Sequence, residues 1–563
     1  MSDRGHSHRE GFQLGWPSRY GGLPPWPQPK AVCVCSGHST REPVVSTLLS
    51  MTCYGSTREP VASLRLESGI RLEMNPVPPR QAPLEADRPR GSGSSGSAFK
   101  RLVFYGSSRA AFQGLIAARG LLLASFLGPE RFGMWALFRL AMLYGSFAPL
   151  GVFRGLELRV AQSRSTSDLG PLRAVEASRT ALGLTLMISG AVGVGSFIVS
   201  FLVSNQTLGV GLRIFAAVVV LESLIVYGMT YLRARGNLRR YGITELVFGL
   251  VHLGLAVLLA LKWGLGGALF GYLSATLCVL PLVMWQVPFR PAFSMAEARR
   301  LLQVGFPVAL TSMLGFALVG VDRLVVGAYA GMTQLGFYAF AVSISGLTAS
   351  FAWVVRTVVL PDLYASAEID GSSRALRQHF SGTILPYSRF YPILVGVLAI
   401  GVGPAVSLLL PQYLEAVPAS RVVIFAGVTA GFVSLGSLGV VAAGKQRVLP
   451  VLSVVLLMMN ALVSYLALRL GFGILGVAVG TLLSRTAFGI GILAVNAQSA
   501  ELGAVRFAVR ISTPLLWCAA MVHGLDRWLG GLDLRSAGIS LLAYLVLVSP
   551  LYPAALRGMG RKN

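Results

Sequence analysis

From Arg101 to near its C-terminal end, the chain is a succession of apolar stretches of helical length, and no other feature limits its fold so tightly. Each stretch runs for about 20 residues or more, which a helix needs to cross the hydrocarbon core of a bilayer. They are read at 104–127, 133–156, 178–203, 208–232, 241–262, 264–287, 303–329, 334–359, 382–409, 415–443, 448–469, 472–496, 507–525 and 536–556. The expected fold is an all-α polytopic membrane protein of about fourteen transmembrane helices. Composition agrees: 54% of the 563 residues are hydrophobic and 13% charged. A water-soluble chain of that size could not hide so much apolar surface. The formal net charge of +25 would suggest nucleic acid in a soluble domain. Here Lys and Arg fall mostly between the apolar stretches and do not interleave with aromatics, so no nucleic-acid partner is expected.

Residues 1–97 are a different kind of sequence. They are rich in Pro, Gly, Ser and Arg, lack a sustained apolar period, and end in the linker-like "RGSGSSGSAF". No basic stretch leads into an apolar one, so no signal peptide is expected. "STREPV" occurs at Ser39–Val44 and again at Ser56–Val61. The segment reads as a disordered tail or as translated upstream sequence, with the true start near Met74. The five cysteines, Cys33, Cys35, Cys53, Cys278 and Cys518, give neither a metal-ligand spacing nor a disulfide framework. No metal and no cofactor is expected.

Alternate loops differ in charge. One set carries Arg159, Arg164 and Arg173, then Arg233, Arg235, Arg239 and Arg240, then Arg290, Arg299 and Arg300. It continues through Arg374, Arg377, Lys445, Arg447, Arg506 and Arg510 to Arg557, Arg561 and Lys562. The other set holds Arg131, Lys262, Arg421, Arg469, Arg527 and Arg535. The positive-inside bias places the first set, and both termini, in the cytoplasm.

The chain also repeats itself. "FLGPERFGMW" (126–135) and "YAGMTQLGFY" (329–338) both sit between apolar stretches, with Gly128 and Gly133 matching Gly331 and Gly336 at one offset. Trp135 matches Tyr338. "ARGNLRR" (234–240) falls near "AAGKQR" (442–447), and "LKWGLGGALFG" (261–271) falls on "LGFGILGVAVG" (470–480). Arg154 lies near Arg356, and Asp168 near Asp370. Glycine is common in membrane helices, so one match means little; several in the same order indicate duplication of a six-helix unit. Six is even, so the copies cross in the same direction, related by an axis along the membrane normal. The expected division is a first lobe at 98–287, a second at 288–500, and two appended helices in 501–563. That is the layout of an alternating-access transporter.

The pattern resembles the multidrug/oligosaccharidyl-lipid/polysaccharide exporter superfamily, and within it the polysaccharide-biosynthesis flippases that export O-antigen and exopolysaccharide. The stretches that carry the resemblance are "ASFLGPERFGMWAL" (124–137), "GFPVALTSMLGFALVGVDRLVVGAYAGMTQLGFYAFA" (305–341), "RARGNLRRYG" and "GFGILGVAVGTLLSR". It covers residues 100 to 500 and contains no catalytic signature. It implies movement of a polyprenyl-diphosphate-linked oligosaccharide from the cytoplasmic to the outer leaflet of the bacterial cytoplasmic membrane. Polymerase and glycosyltransferases of the same surface-polysaccharide assembly would be partners.

Charged groups at membrane depth are costly and mark candidate sites. Arg109, Arg154 and Arg356 lie near helix ends and can snorkel to the cytoplasmic interface, as Arg213 can on the outer side. Arg119 is deeper, about 12 Å from the outer loop at 1.5 Å per residue. The repeat maps it onto Asp322. The two could pair across the lobes in one state and part in another, or Asp322 could form a static ion pair within its lobe, with Arg323 as a partner. Thr311, Gly315 and Asp322 share a helical face, which points Asp322 toward a cavity. Arg485 lies about 20 Å into its helix. Arg119, Arg139, Asp322, Arg323 and Arg485 are the candidate substrate-binding residues, and Glu222, His252 and Asp322 the candidates for coupling. A cationic cavity suits a diphosphate, which arginine can grip with two parallel hydrogen bonds.

Two alternatives stand beside this reading. One is a multidrug or peptidoglycan-precursor lipid exporter on the same scaffold. The other is a membrane-embedded polysaccharide polymerase or glycosyltransferase. The first helix lacks the carboxylate expected of a cation-coupled drug antiporter in this superfamily. The longest loops, around 159–177 and 360–381, hold no cluster of active residues. The sequence shows no nucleotide-binding glycine loop and no nucleophile elbow, so no enzymatic activity is expected.

Overall fold

A computed structural model describes residues 95–162, 170–369, 372–445, 447–500, 503–529 and 533–551. The tail with its two "STREPV" copies, Cys33, Cys35, Cys53 and Met74 lies outside the described residues, as do Asp168 and Asp370. The described chain is helical: α1 (Ser95–Gly145), α2 (Val152–Gln162), α3 (Gly170–Leu202), α4 (Gln206–Ala234) and α5 (Leu238–Met284). There follow α6 (Met295–Tyr329), α7 (Gly331–Ile369), α8 (Ser372–His379), α9 (Leu385–Leu409), α10 (Val417–Ala442), α11 (Val448–Arg469), α12 (Gly473–Ser499), α13 (Ala504–Leu529) and α14 (Leu534–Leu547). A π-helical turn, Phe380–Ile384, joins α8 to α9. Eleven helices among the described residues are long and apolar enough to cross a membrane. The chain is an all-α, multi-pass membrane protein.

Two of these helices are too long to be single crossings. The 47 residues of α5 would span about 70 Å if straight, more than twice a bilayer core. The helix breaks at Trp263 and Gly264, and its second arm packs back on the first, where Gly267 and Gly271 admit the Leu259 and Leu255 carbonyls. α1 breaks at Gly128, which has φ 71° and ψ 169°. The crossing read at 133–156 is not continuous. α1 stops at Gly145, a run of turns through Pro149 follows, and α2 starts at Val152 after Gly151 at φ 92°. Proline leaves no amide for the ladder and glycine supplies the left-handed turn, so the apolar run is cut.

The glycine geometry supports the duplication. The chain enters the left-handed region at Gly128 and Gly331, at Gly236 and Gly444, and at Gly264 and Gly473, with φ of 71° and 87°, 72° and 70°, and 56° and 57°. Each pair falls within the repeated stretches. Helix packing runs both within and across this division: α5 packs on α1 and α4, α3 lies on α4, α10 packs with α7 and α12, and α11 lies between α6 and α12, while α1 packs on α7 as closely as on α5 and α2 lies on α6. The α13–α14 pair docks on the second set. Arg421 of α10 meets Asp526 of α13, and the Tyr544 hydroxyl of α14 reaches the Pro392 and Ile393 carbonyls of α9 at 3.3 and 3.2 Å.

The two sets of helices touch at both ends. On the face away from the basic loops, a Cβ on Gly133 would collide with the Met332 carbonyl, and one on Gly336 with the Pro129 carbonyl. Each copy of the repeated loop therefore seats its backbone against the glycine of the other. Gln412 and Tyr413 add hydrogen bonds to the Ser125 and Ala124 carbonyls at 2.8 and 3.1 Å. At the basic face, Gly151 and Gly305 meet backbone to backbone, and Gly155 receives the Leu301 carbonyl. There Arg159 donates twice to buried Glu297, at 2.8 and 2.9 Å.

Candidate functional site

The seven candidate side chains fall into two networks, one in each set of helices. The first is built on Tyr272, in the second arm of α5 and 1% exposed. Arg139, from the second arm of α1, donates from Nη1 to the Tyr272 hydroxyl at 2.8 Å, and that hydroxyl donates to Oε1 of Glu222 on α4 at 3.2 Å. The Arg119 guanidinium, from the first arm of α1, lies 5.6 Å from the Tyr272 ring centre and 5.9 Å from the Trp135 ring. Such stacking attracts a cation without giving it a hydrogen-bond acceptor. Arg119 is buried, and no acceptor meets its guanidinium among the described residues. His252 packs edge-on against Tyr272 at 4.5 Å. Thr276 donates its hydroxyl to the Tyr272 carbonyl at 2.8 Å, so its oxygen is left to accept from His252 Nε2 at 3.4 Å. That network assigns the His252 proton to Nε2.

The second network is built on Asp322 of α6, which is fully buried. Its Oδ1 accepts from the Arg323 backbone amide at 2.8 Å. Its Oδ2 accepts from the Tyr338 hydroxyl at 2.8 Å and from Thr481 at 3.2 Å. Arg485 of α12 stands 3.8 Å from the same oxygen, and Arg323 Nε 4.0 Å from the other. Arg323 and Arg485 also donate to the Val319 carbonyl, at 3.0 and 3.4 Å. Asn460 of α11 completes the group beside Thr481 at 3.5 Å.

The structure thus brings Arg119, Arg139, Glu222 and His252 together, and separately Asp322, Arg323 and Arg485. It does not bring Arg119 to Asp322 in this conformation; of the two readings, the ion pair within one set of helices is the one seen, with Arg485 as well as Arg323. Nor does Asp322 face a cavity: Tyr338 and Thr481 cover it. A low-dielectric site explains this, because a buried carboxylate must have its oxygens occupied by nearby donors.

The two networks use equivalent positions. Arg119, Trp135 and Tyr272 in the first copy correspond to Asp322, Tyr338 and Thr481 in the second by the offsets of the surrounding glycines. Tyr272 and Thr481 were not singled out by sequence, although each directly follows a matched glycine, Gly271 or Gly480. Of the arginines expected to snorkel, Arg109 instead pairs with buried Glu245, and Arg356 donates to the Ser434 carbonyl at 3.0 Å and to the Ser437 hydroxyl at 3.1 Å. Arg154 stays half exposed beside Glu157, and Arg213 lies 4.7 Å over the Phe201 ring near its helix end.

A cavity of about 210 Å³ lies between α1, α4 and α5. It runs from Arg233 and Tyr241 near the basic face, past Glu245, Phe112 and Phe248, to Glu222.

Membrane-crossing helices interlocked at both ends around buried charge make up a polytopic membrane fold of known kind. The fold matches that of solved transporters. The lipid II flippase MurJ, in an inward closed conformation, aligns over 81% of this chain and 100% of its own, with 15% identity and a TM-score of 0.62. An inward-facing multidrug resistance MATE family transporter of the MOP superfamily aligns over 74% of this chain and 96% of its own, at 15% identity and a TM-score of 0.53. No curated protein matches the chain. The model of the polysaccharide biosynthesis protein family matches residues 122–418, and the chain belongs to that family.

Proposed function

We propose that the protein moves a polyprenyl-diphosphate-linked oligosaccharide across the bacterial cytoplasmic membrane by alternating access, supplying surface polysaccharide assembly without a chemical step of its own. The basic face is cytoplasmic and both termini lie there, by the positive-inside bias. The lobes are residues 98–287 and 288–500, with 501–563 appended. The observation that carries the reading is the pair Arg119 and Arg139 on one tyrosine. Both guanidiniums lie against that ring, 5.6 and 5.3 Å from its centre, one of them without an acceptor, in a site where uncharged sugars need only hydrogen bonds and stacking. A diphosphate supplies the acceptors that Arg119 lacks. In the second set, Arg323 is the partly exposed candidate for substrate, while Asp322 and Arg485 are closed off behind Tyr338 and Thr481 in this conformation. Polymerase and glycosyltransferases act on the substrate before and after transfer.

The test is reconstitution into vesicles of defined lipid with a fluorescent polyprenyl-diphosphate disaccharide, read by access of a lectin to the outer leaflet. The wild-type protein should flip the lipid. Arg119→Ala and Arg139→Ala should each slow transfer at least tenfold while inserting normally. Equal transfer by both variants would overturn the cationic-site reading. Transfer of lipid II but not of the disaccharide lipid would move the substrate to a peptidoglycan precursor.

A further inference from the structure

The cavity between α1, α4 and α5 is unusual in holding two carboxylates, Glu222 and Glu245, within an apolar wall. Glu245 is nearly fully buried and meets Arg109 through Oε1, with the Tyr241 hydroxyl 3.5 Å from the same oxygen. Its Oε2 is buried and meets no donor among the described residues. At the far end, Glu222 is joined to Arg139 by one atom, the Tyr272 hydroxyl, and Arg119 lies over the ring of the same tyrosine. From Glu222 to Arg233 the helix covers about 16 Å, so the cavity links the basic face to membrane depth.

We propose that Glu222 is a proton-binding group loaded through this cavity from the basic face, and that Tyr272 carries its charge state to Arg139 through the hydroxyl and to Arg119 through the ring. This rests on the phosphate-binding role given to those arginines. The chemistry follows from the inventory of the site. A tyrosine hydroxyl has one proton. While Glu222 is ionised it takes that proton's hydrogen bond, and its negative charge is the internal counter-ion for both guanidiniums. An incoming phosphate then competes with a carboxylate already in place. When Glu222 takes up a proton the counter-ion is lost, and the two arginines are left for the ligand. Protonation and anion binding are therefore linked, each favouring the other, as reciprocity requires.

The groups that face Glu222 are Arg119 and Arg139 from α1 and Tyr272, Tyr241 and Glu245 from α5, with His252 behind the Tyr272 ring. Arg233 of α4 stands at the mouth, held by Glu157 of α2 at 3.0 Å, and Arg109 of α1 pairs with Glu245. On α3, Glu176 and Arg179 lie in the first turns, at the basic end. His252 is not among the residues lining the cavity, so the route does not pass through it.

The test measures binding of a short-chain polyprenyl diphosphate to the purified full chain in detergent at pH 6 and pH 8, together with labelling by dicyclohexylcarbodiimide, which reacts with protonated carboxyls in apolar surroundings. Wild-type affinity should rise about tenfold from pH 8 to pH 6. Glu222→Gln should bind tightly at both, and Tyr272→Phe, which keeps the ring under Arg119, should lose the pH step. A wild-type pH step in Glu222→Gln would overturn the proposal, as would a full step in Tyr272→Phe. Labelling should map to Glu222 by mass spectrometry and fall as pH rises. If the lipid binds at neither pH, the labelling decides: a Glu222 adduct that declines with pH keeps the proton site and sinks the phosphate reading, and no adduct at either pH sinks the proton site.

Discussion

Arg119 and Asp322 occupy the same position in two copies of one unit, yet burial has solved opposite problems around them. A buried guanidinium can rest on aromatic faces, and Trp135 and Tyr272 supply two. A buried carboxylate needs donors, and Asp322 takes an amide, a tyrosine and a threonine hydroxyl, with Arg485 as its nearest cation from another helix. Breaking one partner of such a pair leaves the other charge stranded, at about 3–5 kcal/mol. Asp322→Asn should therefore lower the melting temperature in detergent sharply. Asp322→Asn with Arg485→Gln, which removes both charges, should recover most of the loss. A double variant no more stable than the single would show that the pair contributes little. At this scale the sequence was legible where residues are chemically conspicuous: seven charged or titratable side chains at membrane depth all proved to belong to one network or the other. Tyr272 was not legible, because a tyrosine in an apolar helix looks like core until its hydroxyl is seen between Arg139 and Glu222.

Among the elements, the repeated glycines carry more structure than their spacing alone revealed. The pattern of "FLGPERFGMW" and "YAGMTQLGFY" identified two equivalent corners, and the left-handed backbone at Gly128 and Gly331 accounts for the first glycine of each. The second glycine serves a tertiary purpose that a single chain's pattern cannot display: Gly133 and Gly336 let each corner press on the backbone of the other. Likewise the apolar run at 133–156 gave no hint of its break beyond Pro149 and Gly151, because hydropathy is blind to backbone direction. Gly336→Val would place branched carbon against the Pro129 carbonyl, and the two corners would part. A cysteine placed at Ser125, in a background free of other cysteines, should then react several-fold faster with a membrane-impermeant maleimide added from the face opposite the basic loops. Unchanged reactivity would mean that the corners are not a closure. Gly331→Ala tests the other role. It should cost about 1 kcal/mol or more through its positive φ without opening the face.

On the scale of the whole molecule, the closures at the two ends are chemically unequal. The face opposite the basic loops is shut by backbone contact and by two side-chain hydrogen bonds, and the basic face by backbone contact and by a bidentate ion pair, Arg159 with Glu297. If the two sets of helices rock as bodies, the closures draw on one equilibrium, and weakening either shifts the population toward the form open on that side by the energy lost. A charge-assisted pair with one partner buried contributes about 1.5–3 kcal/mol, which corresponds to a shift of roughly tenfold or more. Glu297→Gln removes the charge and keeps the shape. It should raise cysteine accessibility at the basic face about tenfold and lower it at Ser125 on the other. Combined with Gly336→Val it should bring the ratio of the two accessibilities back toward the wild-type value, because both closures are then weak. If each variant opens its own face and leaves the other untouched, the ends are independent gates and the molecule does not rock as two bodies.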